Sequence, residues 1–199
     1  MKKSILKNIT LLSTALLLST FTFSQNAPAF DKGDNTIGLS LGAGVNYGYY
    51  SGILAPSLAV TYDHGFFPEV GPGTIGIGGI IAYKSGHYHY GYGDYEYKWN
   101  SVIVAVRGTY HLTILKDKNN HFDPYGGVVL GVRVNKYTDT YDDYYYANTH
   151  NHYYREDASA NAVRGVFIGA KYNFTSFFGL FVELGSDVSV ISGGVNFNF

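Results

Sequence analysis

From Ile37 to Tyr47 every odd position is apolar and every even position is Gly, Ser or Asn. That is a period of two held over eleven residues, the pattern of a strand with one greasy face. The same rhythm returns in Pro56–Tyr62, Ile75–Tyr83, Ser101–Tyr110, Gly127–Asn135, Gly165–Asn173, Leu180–Gly185 and Gly193–Phe199. No segment after residue 34 keeps a helical period, so eight strands and no helix are expected there. Strands of about nine to eleven residues are the length that crosses a bilayer at a tilt.

Period two does not say which face meets water. A soluble barrel of lipocalin type turns its apolar face inward, whereas a membrane barrel turns it toward lipid. The other face here is mostly Gly, Ser, Ala and Asn, with Arg107, Arg133, Lys171 and Glu183 among them. Small residues suit the cramped inside of a narrow barrel. Tyr and Phe stand at the ends of the apolar stripes: Tyr62, Tyr110, Tyr172, Phe178 and Phe197 at one rim, Tyr47 and Tyr83 at the other. Amphipathic rings at two levels are the expected girdles of a membrane barrel. Turning Arg107 toward lipid near mid-strand would cost roughly 2–4 kcal/mol, and Arg133 and Lys171 would repeat the penalty. Because strands in lipid tolerate no open edge, the expectation is an all-β, eight-stranded antiparallel up-and-down transmembrane β-barrel.

The first 24 residues read differently. Lys2, Lys3 and Lys7 precede an uncharged run rich in Leu that ends at the small residue Ser24, the arrangement of a secretory signal peptide whose core is too short to span a bilayer. Residues 25–33 then form a short N-terminal segment and 34–199 the barrel domain. Without residues 1–24 the chain keeps 11 basic and 15 acidic residues, net −4. Such a balance argues against a nucleic-acid partner, which calls for a basic stripe. The absence of Cys excludes disulfides, thiolate metal sites and a thiol nucleophile.

With its alternating strands, Gly-rich inner face, export signal and terminal Gly194-Val-Asn-Phe197-Asn-Phe199, the chain resembles the small outer-membrane β-barrels of Gram-negative bacteria, of the OmpA-barrel and OmpX/Ail kind. The resemblance covers residues 34–199. It implies residence in the outer membrane among lipid and lipopolysaccharide, both termini in the periplasm, and recognition of Phe197 and Phe199 by the barrel-assembly machinery. Outward loops are then expected at 46–53, 84–98, 136–160 and 186–189, and periplasmic turns at 64–73, 112–122 and 174–177.

Two of those loops carry 12 of the 20 Tyr, among them Tyr88, Tyr90, Tyr92, Tyr95, Tyr144, Tyr145, Tyr146, Tyr153 and Tyr154. The alternation around Gly91-Tyr-Gly93 points to a hairpin protruding past the membrane. Tyr gives large contact area at low entropic cost, so a surface for a host or cell-surface ligand is expected; stacking within the loops is the plainer account. His87-x-His89 and His150-x-His152 each place two imidazoles on one face of an extended segment, a weak motif for zinc or copper, and solvated loop histidines explain them as well. No cofactor is expected. Inside, Arg107, Arg133, Lys171 and Glu183 are expected to form an ion-pair network, as a plug or as a gate for small currents. A narrow porin-like channel is the alternative function, and a lipid A-modifying enzyme a further one. No catalytic set is read, because His64 and His111 have no grouped Ser and Ser85 and Ser101 merely flank His87 and His89.

Overall fold

The computed structural model describes residues 30–45, 54–90, 95–113, 119–142 and 152–199; the expected signal peptide lies outside them. Eight strands follow in chain order: β1 (Asn35–Val45), β2 (Leu54–Val70), β3 (Gly73–Tyr90), β4 (Tyr95–Leu112), β5 (Phe122–Asp142), β6 (His152–Asn173), β7 (Phe178–Gly185) and β8 (Ile191–Asn198). Each pairs antiparallel with its neighbour, and β1 pairs with β8, so the sheet closes into an up-and-down barrel. The seam is tied at its base, where the Asn35 and Phe199 backbones exchange N–H···O bonds of 3.0 and 2.9 Å.

Side-chain parity places grease outside and polarity inside. Leu41, Leu130 and Ile168 are 70%, 67% and 65% exposed, whereas Arg107, Lys171 and Asn196 are 3%, 6% and 0% exposed. Burying guanidinium and ammonium groups while leaving Leu and Ile bare is the reverse of a water-soluble fold, and it is how a transmembrane barrel is built. Tyr62, Tyr83 and Tyr172 face outward at the ends of this belt. Their rings keep polar partners: the Tyr62 hydroxyl donates to Asn35 Oδ1 at 2.8 Å and the Tyr83 hydroxyl to Asn100 Oδ1 at 2.7 Å. Tyr47 lies outside the described residues.

The lumen has three layers. Toward the chain termini it is polar: Asp63, Arg107, Thr109, His111, Asp123, Lys171 and Asn196 are buried there. A waist of Ala59, Ile80, Ile103, Val129, Val163 and Phe167 follows. Beyond it, Ser57, Lys84, Ser101 and Asn135 are buried and polar again. The apolar waist is absent from the sequence-based expectation because Ile80 and Ile103 sit inside continuous apolar runs, where alternation cannot be read.

Several connections depart from the expected bounds. The turn expected at 64–73 is largely strand: β2 continues to Val70, with register shifts at Gly65/Phe67 and Phe67/Val70, and the chain reverses at Gly71-Pro72. Gly71 takes φ +64°, a left-handed conformation that glycine supplies without steric cost. The β3–β4 pair runs on to Tyr90↔Tyr95, as the protruding hairpin expected around Gly91 requires, whereas the outward loop expected at 136–160 is mostly strand, since β5 and β6 pair up to Asp142↔His152. Tyr and Thr favour extended chain, but the sequence of the β5–β6 extension carries no apolar stripe to announce it. Finally, the connection at 186–189 turns inward, and Asp187 and Val188 are buried in the mouth of the barrel.

Candidate functional site

Strand lengths define the first candidate. β7 and β8 have 8 residues each, while β5 has 21 and β6 has 22, so β3 to β6 continue as a four-stranded sheet beyond the rim. β2 pairs with β3 only as far as Lys84, and β7 pairs with β6 only from Phe167. Residues 85–90 of β3 and 152–165 of β6 therefore present backbone edges with no strand partner among the described residues. Such edges are templates for further strand pairing.

The face of this sheet continuous with the lumen carries Tyr97, Trp99 and Tyr137. Tyr97 and Tyr137 stack across the β4–β5 pair with centroids 6.0 Å apart and an interplanar angle of 28°. Trp99 is 5% exposed. It lies over Gly86, where an added Cβ would stand 2.6 Å from the indole Nε1, so the glycine makes room for the ring. On the opposite face Lys136 Nζ pairs with Glu156 Oε1 at 2.6 Å. With both side chains about half exposed, this pair adds little stability.

Of the tyrosines singled out in the sequence, Tyr88, Tyr90, Tyr95, Tyr153 and Tyr154 lie on strands of the extension, and Tyr92, Tyr144, Tyr145 and Tyr146 lie outside the described residues. His87 and His89 lie on β3 and His152 on β6, with β4 and β5 between them; His150 lies outside the described residues. Three strand spacings separate β3 from β6, roughly 14 Å along a flat sheet, so His152 is not a ladder neighbour of His87 or His89.

The lumen is the second candidate. Arg107 donates to Glu183 Oε1 at 2.6 Å, and the Tyr125 hydroxyl donates to the same oxygen at 2.7 Å. The guanidinium carbon stands 4.0 Å from the Phe167 ring centroid, which caps the pair at the waist. Lys171 belongs to the same layer, with Nζ 5.0 Å from the Tyr125 ring centroid. Arg133 stands apart, across the waist, and donates to the backbone oxygen of Asp187 at 3.0 Å.

Sequence reading missed a second cluster in the lower layer. His111 is fully buried, with Nδ1 2.8 Å from Asp123 Oδ2 and Nε2 3.1 Å from Asp63 Oδ2. Thr109 donates to Asp63 Oδ1 at 2.9 Å. The signal was present as parity: Asp63, His111 and Asp123 fall on the inward positions of β2, β4 and β5. Both imidazole nitrogens face carboxylates, so the three side chains link β2, β4 and β5 across the lumen.

Lys84 and Arg133 close the outer mouth from within. Lys84 Nζ donates to the Val188 carbonyl at 2.8 Å, beside the Arg133 bond to Asp187. Gly42, Gly44, Gly165 and Gly185 let the 186–190 segment sit this deep; a Cβ at Gly44 would lie 2.8 Å from the Val190 nitrogen and one at Gly165 2.8 Å from the Asp187 Cβ. Among the described residues, one cavity of about 10 Å³ is lined by Asp63, Arg107 and Lys171 and another of about the same size by Ser40, Ser57 and Asp187, and Glu183 lines both. Each has room for about one water molecule.

No protein-family model matches the chain, and no curated protein matches it in sequence. Solved structures do match. Ail, the attachment invasion locus protein of Yersinia pestis, superposes with a TM-score of 0.50 at 14% identity, covering 84% of this chain and 99% of that one. Neisserial surface protein A gives 0.47 at 13% identity over 85% and 99% of the two chains, and the N-terminal β-barrel domain of OprF from Pseudomonas aeruginosa 0.46 at 14% over 85% and 100%. At these identities the likeness is one of fold: the chain has the architecture of the small eight-stranded outer-membrane barrels.

Proposed function

We propose that this chain is an integral protein of the bacterial outer membrane that acts at the cell surface through the sheet formed by the far ends of β3 to β6, as a recognition or adhesive element. The exposed apolar belt supports the membrane placement. The end bearing the termini then faces the periplasm and the projecting sheet faces outward. The observation that carries the surface role is the sheet itself, with two edges that have no strand partner among the described residues and the Tyr97, Trp99 and Tyr137 rings on one face. Long Tyr-rich strands standing clear of the bilayer add nothing to the barrel's own closure, so contact with something outside is their use. The Yersinia protein Ail is named for attachment; for this chain the projecting sheet carries the surface role.

Lipid and lipopolysaccharide are the surroundings this placement implies, and the barrel-assembly machinery is the partner that would read Phe197 and Phe199. The protein acts without enzymatic chemistry and without a cofactor. The test is to shorten the β5–β6 hairpin in register, joining Lys136 to Ala158 through an Asn-Gly turn. The shortened barrel should refold with unchanged heat-modifiable mobility, while cells displaying it lose adhesion to host cells, matrix or other bacteria. Unchanged adhesion would remove the surface role, and stepwise single-channel current through the intact protein would put a narrow channel in its place.

A further inference from the structure

The barrel is also closed from below, by its own N-terminal segment. Residues 31–34 form a tight turn in which Asp34 N–H donates to the Asp31 carbonyl at 3.2 Å and Asp31 N–H donates to the Asp34 carboxylate at 2.8 Å. Gly33 completes it at φ +93°. The turn is bolted to β2, because Gly33 N–H donates to the Gly65 carbonyl at 2.8 Å and Gly65 N–H donates to the Asp34 carbonyl at 2.9 Å. Only glycine fits at 65, since a Cβ there would lie 2.0 Å from the Asp31 carbonyl oxygen.

This turn sends Phe30 back into the mouth of the barrel, where it is 4% exposed. Its ring stacks on His111 with centroids 3.9 Å apart at 21°, and His111 stacks in turn on Tyr125 at 5.1 Å and 17°. Lys171 Nζ stands 5.2 Å from the Phe30 centroid. The ring is thus received by His111 of β4 and Lys171 of β6, and the imidazole stacks in turn on Tyr125 of β5. The imidazole it rests on is held by Asp63 of β2 and Asp123 of β5. A receptacle made of β2, β4, β5 and β6 exists only once the sheet has rolled up. The segment that fills it begins next to the β1–β8 seam at Asn35 and Phe199.

We propose that residues 30–34 are a latch that docks after the barrel closes, with Phe30 as a stopper sealing the lower polar layer of the lumen from the periplasm. The aromatic stack and the nearby ammonium give the ring a specific seat that a merely apolar side chain would fill less well. Release of the latch would open the His111–Asp63–Asp123 cluster to water while leaving the eight strands in register.

The test uses the mature chain refolded in phosphatidylcholine vesicles, treated with diethylpyrocarbonate and read by peptide mass spectrometry at each histidine. In the wild type His111 should be protected while the exposed His121 reacts. Phe30→Ala should raise the His111 rate by about tenfold or more, as expected when a buried group becomes accessible without global unfolding, and Phe30→Leu should fall between. His121 should not change, and strand circular dichroism should be retained. If Phe30→Ala does not fold, Gly65→Ala, which displaces the turn and keeps the ring, should give the same rise. A His111 as reactive as His121 in the wild type, or one still protected in the folded variants, overturns the proposal.

Discussion

At the scale of single residues, the buried pair Arg107–Glu183 shows how the lumen holds charge. The side chains are 4% and 12% exposed, and Glu183 Oε1 accepts from both Arg107 and Tyr125. Removing one member of such a pair leaves the other desolvated and alone, at about 3–5 kcal/mol. Glu183→Ala should therefore lower the free energy of unfolding, measured by urea titration in vesicles, by roughly that amount. Glu183→Gln should cost less, since its carbonyl still accepts from Arg107. The double variant Arg107→Met with Glu183→Leu should recover much of the loss, because apolar replacement of a buried pair is often neutral. A double variant as unstable as Glu183→Ala would mean that the pair does more than satisfy itself.

At the scale of elements, the β1–β8 seam is an exacting contact. Gly194 of β8 faces β1 so closely that an added Cβ would lie 1.9 Å from the Leu39 carbonyl oxygen. Gly194→Ala should force β8 away from β1 and reduce the fraction that refolds to the heat-modifiable form. Gly33→Asn, where nothing lies within 4 Å of an added Cβ and Asn tolerates positive φ, should refold nearly as the wild type does. Equal yields from the two would refute the close approach.

Strands of this kind were legible wherever one face is lipid-bound, because the bilayer imposes the alternation seen from Ile37 to Tyr47 and around Arg107. Legibility fails where that constraint lapses. The extension of β6 shows no apolar stripe, so Tyr153 reads as loop, whereas the alternation around Gly91 announces the β3–β4 hairpin. The bulges after Gly65 break the period of β2. Parity places Arg107 and Glu183 inside and in one network, but it does not reveal that Arg133 bonds the backbone oxygen of Asp187, remote in sequence, instead. The same remoteness hides the seat of Phe30 on His111 and the bond from Lys84 to the inturned 186–190 segment, since nothing local to either partner records the other.

At the scale of the molecule, the inside-out arrangement makes position relative to the bilayer the main determinant of what a substitution costs. Val104 is 50% exposed on β4, with Ile81 and Val132 opposite it on β3 and β5, which puts it within the apolar belt. Ser85 lies on the same outward face of the barrel, above Tyr83 and next to Asn100, at the level where the belt ends. Val104→Arg should cost about 2–4 kcal/mol and Ser85→Arg about 0–1 kcal/mol, because the guanidinium penalty falls steeply from the midplane to the interface. In a water-soluble barrel of the same shape the order would reverse or vanish, as both positions would face solvent. The comparison needs only urea unfolding of the two variants in vesicles, followed by tryptophan emission from Trp99, the single Trp of the chain. Equal stabilities, or a mature chain that stays folded and monodisperse in buffer without detergent, would place hydrocarbon on the wrong side of the sheet.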